Sequence, residues 1–308
     1  MPKQSGNAYF DDAYTGVQDA CKDLGCVASQ SASDSGDPTS QIPILKQQIQ
    51  RGVGVILVSA NSPNALNSVL DEAKAKGITV VTLDSDLTGN ETHRLAFVPG
   101  TDMAGVGAEQ IELLGSQIGY QGDFAILSAA PDAPNQNLWI AEMKETLKQP
   151  KYAKMHLVDT VYGDDQSQKS LTETQALITK YPNLRGLIAP TSVGVEAAAR
   201  ALELAGAYPG GPHASGGGIV LTGLGTPKQM RGFIDKGVLK EFALWRPHDM
   251  GYIATYLGVA LHTGKVKPDA GSTFTAGQFG QKTLGKDGVV PGGPLIVFDK
   301  SNIEKYNF

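Results

Sequence analysis

Two short stretches of the chain bring together side chains that bind hydroxyl groups. Asp84 follows the apolar run at 78–83, and Asn135-Gln136-Asn137 place three amides at the start of a predicted helix. A carboxylate accepts hydroxyl hydrogens with charge-assisted strength, and amides both donate and accept. The combination favours a neutral ligand with many hydroxyl groups. Capping is the alternative role, for Asp84 at its turn and for Asn135 at the helix.

Aromatic residues near these stretches add flat apolar surface. The two tryptophans of the chain, Trp139 and Trp245, both fall close to predicted strand ends. An aromatic ring suits the C–H face of a sugar, although core packing is the alternative for Trp139. Tyr9 and Phe10 precede the first helix and are predicted to form a second aromatic wall. Asp249 is a further candidate, and stabilisation of a helix N-terminus is its alternative role.

Five apolar runs of strand length position these residues, and each ends in a small polar tip. Continuous Val, Ile and Leu runs are typical of strands covered on both faces, as in parallel sheets. Ligands bind beyond the carboxyl ends of such strands. The tip Pro190-Thr191-Ser192 therefore joins the candidate site. The runs are 53–59, 78–83, 124–128, 184–189 and 219–222.

The elements alternate between strand and helix, and the series occurs twice. This order predicts an α/β fold with two Rossmann-like lobes facing each other across a ligand cleft. We expect residues 1–120 and 248–284 in the N-terminal lobe, and 121–247 and 285–308 in the C-terminal lobe. The predicted helices lie near 11–24, 38–51, 64–76, 102–118, 136–148, 167–180, 194–205, 227–236 and 247–263.

Catalytic and metal-binding motifs are missing from the sequence. The five histidines lack metal-ligand spacing, and there is no nucleophile elbow, Walker loop or complete dinucleotide fingerprint. The stretch Asp84-Ser85-Asp86 resembles the first half of a calcium-binding loop. Leu95, however, lies at the position where such a loop needs a glutamate as a calcium ligand. We therefore expect a binding protein, and we expect neither enzymatic activity nor a cofactor or metal.

Composition narrows the class of partner. The net charge of −5 without a basic block argues against nucleic acid, and no apolar run reaches the length of a membrane span. The chain has no signal peptide and reaches helix-like sequence by Asp11, although a βα protein should begin with a full strand. We expect the natural chain to extend upstream with an export signal and part of a first strand.

Cys21 and Cys26 flank a predicted helix end. The first helix should end at Leu24, with Gly25 as its left-handed cap. Such a cap brings the two cysteines close enough for a disulfide, which would indicate an oxidising compartment. An ordinary apolar contact between two reduced cysteines remains the alternative.

These residues carry a resemblance to a known family. The chain resembles the sugar-binding proteins of ABC importers, the type I periplasmic binding proteins, and within them the branch of L-rhamnose-binding and autoinducer-2-binding proteins. The resemblance spans nearly the whole chain. The matching stretches are Pro2-Lys3, Asn7-Ala-Tyr-Phe10, Asp37-Pro-Thr-Ser-Gln41, Leu83-Asp-Ser-Asp86, Asn135-Gln-Asn-Leu-Trp139, Ile188-Ala-Pro-Thr-Ser192, Gly225-Thr-Pro227, Leu244-Trp-Arg-Pro-His-Asp249 and residues 298–308.

The resemblance implies a function in uptake. It implies two lobes joined by three crossings, hinge closure over one sugar or polyol, export to the periplasm or cell surface, and delivery to a membrane permease by a monomer. The positions that hold the ligand in autoinducer-2 proteins match Lys3, Asp84, Asn135-Gln136, Pro190 and Ser192.

Departures from that pattern shape the ligand prediction. Asn135 replaces an aspartate and Ser192 replaces an alanine, which argues against autoinducer-2. Ser85 follows Asp84 where ribose-type proteins have an arginine, which disfavours ribose. A deoxyhexose such as L-rhamnose is the lead prediction, and an autoinducer-2 receptor is the alternative. A lactose-repressor-type effector core would need an N-terminal DNA-binding domain, for which this sequence has no room.

Overall fold

The computed structural model describes all 308 residues. The nine helices are Ala8–Leu24 (α1), Ile42–Gln50 (α2), Asn67–Ala75 (α3), Val106–Ile118 (α4), Pro134–Thr146 (α5), Ser167–Lys180 (α6), Ser192–Ala205 (α7), Pro227–Asp235 (α8) and Pro247–His262 (α9). The strands are Val55–Val58 (β1), Thr79–Leu83 (β2), Ala96–Val98 (β3), Gln121–Ser128 (β4), Lys154–Tyr162 (β5), Leu184–Ala189 (β6), Val220–Gly223 (β7), Phe242–Leu244 (β8), Thr273–Thr275 (β9), Gln281–Thr283 (β10) and Ile296–Phe298 (β11).

Both main sheets are parallel, as the continuous apolar runs predict. One sheet has the order β1-β2-β3, and the other has the order β5-β4-β6-β7. All five residues of β2 are buried, as are all four of β7. Burial on both faces explains why these strands lack an alternating pattern. β8 pairs with β11 and β9 pairs with β10, in both cases antiparallel.

Contacts group the chain into two units. Unit 1 comprises residues 1–103, 132–135 and 245–294, and unit 2 comprises 104–131, 136–244 and 295–308. The sequence predicts the first change of lobe near residue 120, whereas the contacts change after Met103. The difference is α4, which packs on the sheet of β4, β6 and β7. Residues 266–294 belong to unit 1 and contain β9 and β10.

Unit 1 has its core between the three-stranded sheet and the helices around it. α1 packs along α9, and α9 packs on β1 and β2. Two glycines allow the helices to meet backbone to backbone: a Cβ on Gly16 would lie 1.9 Å from the carbonyl oxygen of His248, and one on Gly251 would lie 2.0 Å from that of Ala13. Because α9 follows Trp245 in the chain, this contact between the helices helps to fix the position of Trp245 in the site described below.

The end of α1 follows the prediction. The helix ends at Leu24, Gly25 is left-handed at φ 71°, and the Cys26 N–H donates to the Cys21 carbonyl over 3.0 Å. Cys21 and Cys26 form a disulfide. The structure thus decides between the alternatives that the five-residue spacing left open. None of the helices combines the length and the apolar character needed to cross a membrane.

Candidate functional site

The Asp84 carboxylate is the centre of a buried polar cluster in unit 1. It follows β2 with φ at 63°, a left-handed conformation that Asp tolerates better than most residues. Its Oδ1 accepts a hydrogen bond from the Tyr9 hydroxyl at 3.0 Å, and its Oδ2 accepts one from the Ser59 hydroxyl at 2.6 Å. Each carboxylate oxygen has two acceptor positions. The carboxylate is therefore oriented by two hydroxyl donors and retains acceptor capacity for a ligand.

Lys3 supplies the positive charge of the same cluster. Its Nζ donates to Asn135 Oδ1 over 2.8 Å and lies 4.0 Å from Asp84 Oδ2. The Lys3 backbone is also fixed, because its carbonyl accepts from Asn61 Nδ2 at 3.0 Å. Lys3, Asp84 and Asn135 are each 6% exposed. A buried cation needs nearby acceptors, and these two residues provide them.

A hydrogen-bonded chain connects Trp245 to Asp84. The indole Nε1 of Trp245 donates to the Tyr9 hydroxyl over 2.8 Å, and the two rings meet edge to face. Burial, followed by the charge of Asp84, raises the pKa of Tyr9 well above its ordinary value. The phenol therefore stays protonated and donates to Asp84. Gly100 makes room for this indole, since a Cβ there would lie 1.7 Å from Trp245 Nε1.

Tyr9 is predicted from the sequence to form part of an aromatic wall. The structure shows in addition that its hydroxyl group contacts Asp84. Phe10 packs edge to face on Tyr9 at 5.1 Å between ring centroids. Asn7 lies just before these two aromatic residues in the chain. Its side chain caps α1 by accepting a hydrogen bond from the Tyr9 N–H at 3.0 Å. The cap fixes the first turn of the helix, and that turn carries the hydroxyl that reaches Asp84.

Asp249 lies in the first turn of α9 beside a histidine. Its Oδ1 lies 3.3 Å from His248 Nδ1 and 4.0 Å from Arg246 Nη1. The other ring nitrogen of His248, Nε2, lies 3.2 Å from Asp19 Oδ2 on α1. Hydrogen bonding to Asp249 above all, and then to Asp19, raises the pKa of His248 above 6.5.

This raised pKa predicts a pH dependence of stability. Protonated His248 is favoured in the folded state, so its contribution is complete below pH 6.5 and is lost as the pH rises through the folded-state pKa. We expect the free energy of unfolding of the wild type to decline over this range, and that of His248→Gln to decline less. Urea unfolding from pH 5.5 to 8.5 measures both slopes, and equal slopes would contradict the assignment.

Unit 2 holds a second group of candidate residues at its own strand ends. The Gln136 side chain donates through Nε2 to the Pro190 carbonyl over 2.6 Å. The Ser128 hydroxyl, at the end of β4, donates to Gln136 Oε1 over 3.4 Å. These bonds connect the tips of β4 and β6, which are neighbouring strands. Gln136 therefore has the position that the strand-tip argument predicts.

The rest of the Pro190 tip is also fixed. Thr191 donates its hydroxyl to the Asp165 carboxylate, and Ser192 is the first residue of α7. Thr191 is 8% exposed and Ser192 is 7% exposed. Trp139 lies on α5 and is only 2% exposed, so its indole is largely buried. Ligand contact by these residues stays a prediction.

Two residues in these polar clusters were not predicted from the sequence. Ser59 ends the first apolar run, but its hydroxyl was not assigned to Asp84. Asp165, which accepts from Thr191, lies in the loop between β5 and α6 with φ at 51°. The contact of Ser59 follows from the strand order in the structure, because the end of β1 lies beside the end of β2 in the parallel sheet.

With this geometry established, comparison with known proteins identifies the family. The family model for the periplasmic binding protein domain matches residues 1–265. The chain belongs to this family. The resemblance seen in the sequence is therefore confirmed, together with the type I α/β fold.

Several solved structures resemble this one over nearly its full length. A sugar ABC transporter protein from Actinomyces odontolyticus is 36% identical, with a TM-score of 0.76 and coverage of 100% of this chain and 96% of that one. A solute-binding protein from Clostridium phytofermentas with bound L-rhamnose is 32% identical, with a TM-score of 0.92 and coverage of 99% and 96%. LsrB from Clostridium saccharobutylicum in complex with AI-2 shares the fold at 20% identity, with a TM-score of 0.90 and coverage of 100% and 98%.

Proposed function

We propose that this periplasmic binding protein captures a small neutral sugar or polyol outside the cytoplasm and delivers it to a membrane ABC permease. The Asp84 carboxylate supports the proposal most directly. It is buried, oriented by Tyr9 and Ser59, and retains acceptor capacity suited to ligand hydroxyl groups. The role requires binding and release, with no chemical change to the sugar.

L-rhamnose, or a similar deoxyhexose, is the lead ligand. The relative from Clostridium phytofermentas that carries L-rhamnose is 32% identical to this chain. The amides of Asn135 and Gln136 suit hydroxyl groups, which both donate and accept. The residues proposed to contact the ligand or to shape its site are Lys3, Asn7, Tyr9, Phe10, Asp84, Asn135, Gln136, Trp139, Pro190, Thr191, Ser192, Trp245 and Asp249. Closure around the ligand by a hinge and a monomeric state belong to the same proposal.

A thermal-shift screen tests the function. The compounds are L-rhamnose, L-fucose, D-ribose, D-arabinose, neutral polyols and autoinducer-2, with sugar phosphates as charged controls. A ligand at 100 times its Kd stabilises the folded state by about 2.7 kcal/mol, which corresponds to a rise in Tm of roughly 5 °C. We expect at least one neutral sugar or polyol to give this rise. A screen in which no such compound stabilises the protein overturns the proposal.

A receptor for autoinducer-2 is the second candidate. The buried Lys3, between Asp84 and Asn135, favours it, because an ammonium group is a strong donor to ligand oxygens. Asn135 counts against it, since an amide lacks the charge of the aspartate in the autoinducer-2 pattern. The candidate predicts that Asn135→Asp strengthens binding of autoinducer-2. It fails if the wild type gives no shift with this ligand at high concentration.

A further inference from the structure

Gln41 lies in unit 1 at the start of α2, and its side chain is fully buried at 0% exposed. It occupies the N-cap position, where Ser, Thr, Asp or Asn usually accept a hydrogen bond from the first turn of the helix. The Gln41 side chain makes no such capping bond. Burial of a polar side chain is unfavourable unless it is hydrogen-bonded, so the amide needs partners outside its own helix.

The partners of the Gln41 amide are three main-chain groups on two other segments. Its Nε2 donates to the Ser59 carbonyl over 2.7 Å and to the Pro2 carbonyl over 3.2 Å. Its Oε1 accepts from the Asn61 N–H at 3.1 Å. A primary amide has two donor hydrogens and an acceptor oxygen, and all of them are used here. A carboxylate or an aliphatic chain of the same length cannot make these three bonds.

One of these segments carries a hydroxyl group that orients Asp84. Gln41 holds the peptide groups on both sides of Ala60. These groups are the Ser59 carbonyl and the Asn61 N–H. The Ala60 N–H itself donates to the carbonyl of the residue that follows Asp84, over 3.1 Å. The backbone after β1 is therefore fixed, and from it the Ser59 hydroxyl reaches Asp84 Oδ2 at 2.6 Å.

The other segment carries the ammonium group of the same cluster. Gln41 binds the carbonyl that precedes Lys3, and Asn61 Nδ2 donates to the Lys3 carbonyl over 3.0 Å. The peptide groups on both sides of Lys3 are thus held. Lysine carries its charge on a flexible stem, so a fixed backbone limits the positions that Nζ can take. Here Nζ reaches Asn135 Oδ1 at 2.8 Å and lies 4.0 Å from Asp84 Oδ2.

We propose that Gln41 is a positioning residue for ligand recognition at Asp84, an inference that rests on the proposed function. Gln41 fixes the backbone from which Ser59 and Lys3 reach the carboxylate, while its own side chain is fully buried and does not contact the sugar. Hydrogen bonds weaken steeply as their distance and angle depart from the optimum, so a shift of either segment lowers sugar affinity. A purely structural role would change the stability of the fold and leave the affinity of the folded protein unchanged.

Gln41→Glu tests the proposal with a side chain of the same shape. The ionised carboxylate has no hydrogen for the two carbonyls, whereas the protonated acid restores one donor. Burial raises the pKa of such a carboxyl group. We expect the Kd of the variant, for the sugar found in the thermal-shift screen, to be about 30-fold above that of the wild type at pH 8.5. At pH 5.5 the ratio of the two Kd values should fall by at least about threefold, because the acid form is more populated.

Gln110→Glu is the matched control, because Gln110 in α4 is also 0% exposed. Its Nε2 reaches a carbonyl of its own helix, that of Val106, at 3.4 Å, and its Oε1 has no hydrogen-bond partner. This control should lower the Tm and leave the Kd of the folded protein equal to that of the wild type at both pH values. Gln41→Met is neutral and of similar length, and it serves where Gln41→Glu does not fold. It should weaken binding by about 30-fold at both pH values.

Amide hydrogen exchange at Ala60 needs no sugar and separates this inference from the proposed function. In Gln41→Met both flanking peptide groups lose their partner, so we expect the Ala60 N–H to exchange at least about 10-fold faster relative to the amides of β2. Three results each overturn the inference while the proposed function stands: unchanged relative exchange, a wild-type Kd in the Gln41 variants, or equal weakening in Gln41→Glu and Gln110→Glu. Faster exchange in a protein that binds no neutral sugar or polyol overturns the proposed function, and the role in recognition with it.

Discussion

We expect replacement of Asp84 by asparagine to weaken the proposed sugar binding by at least about 100-fold. Hydrogen bonds to a charged group contribute about 1.5–3 kcal/mol each, and 2.7 kcal/mol corresponds to a hundredfold change in Kd. The variant loses the charge and replaces one acceptor by a donor. That donor then faces either the Tyr9 or the Ser59 hydroxyl, so the orientation of the remaining acceptor is disturbed as well. Isothermal titration calorimetry with the sugar found in the screen measures the change.

Asp86→Asn is the matched control for this variant. Asp86 lies two residues further along the chain and pairs with Arg94, whose Nε and Nη2 lie 2.7 Å and 2.5 Å from its two carboxylate oxygens. The control removes an equal charge from a carboxylate that is only 12% exposed and lies outside the cluster. It should lower the Tm and leave the Kd of the folded protein unchanged. If the two variants weaken binding equally, Asp84 has no special role in recognition.

Adding a methyl group at Gly16 or Gly251 strongly destabilises unit 1. The new Cβ atoms would lie 1.9 Å and 2.0 Å from backbone carbonyl oxygens of the facing helix, so α1 and α9 must separate. Backbone atoms cannot rotate away as side chains do. We expect Gly16→Ala and Gly251→Ala each to cost about 3 kcal/mol, a fall in Tm of roughly 5 °C. Thermal unfolding followed by circular dichroism gives both values.

Gly232→Ala is the control for these two variants, and we expect it to raise the stability of the protein. Gly232 also lies inside a helix, α8, but an added Cβ meets no atom within 4 Å. Alanine has the higher helix propensity, so this variant should gain about 0.5–1 kcal/mol. Gly16→Ala with an unchanged Tm would show that α1 and α9 do not pack as described. If Gly232→Ala lowers the Tm as much as Gly16→Ala does, neither helix propensity nor the free space around the glycine explains the two changes.

The sequence predicted which candidate residues lie at strand ends, but it did not predict the contacts between their side chains. Continuous apolar runs identify strands buried on both faces, and their polar ends identify one edge of the sheet. That reasoning locates Asp84, Gln136 and the Pro190 tip. The bond from Ser59 to Asp84 needs the order of strands in the sheet, which a single run does not contain. The hydrogen bond from the Tyr9 hydroxyl to Asp84 likewise depends on how α1 packs. The sequence therefore indicated an aromatic residue at this position, but not the contact of its hydroxyl group.

Short elements and long-range packing account for the other differences. β3 has only three residues, Ala96–Val98, which is too few to form a recognisable apolar run. α4 was recognised as a helix, but its apolar face does not say which sheet it covers, and the contacts place it in unit 2. The end of α1 was predicted correctly, because Gly25 has a local conformational role that needs no tertiary information.

A crystal structure of the complex with the sugar identified by the thermal-shift screen tests the central claim most directly. We predict sugar hydroxyl oxygens within about 3 Å of the Asp84 carboxylate, which still accepts from Tyr9 and Ser59. Lys3 and Asn135 should also lie within hydrogen-bond distance of the sugar. A sugar bound elsewhere, with no contact to Asp84, would contradict the assignment of this cluster as the recognition site.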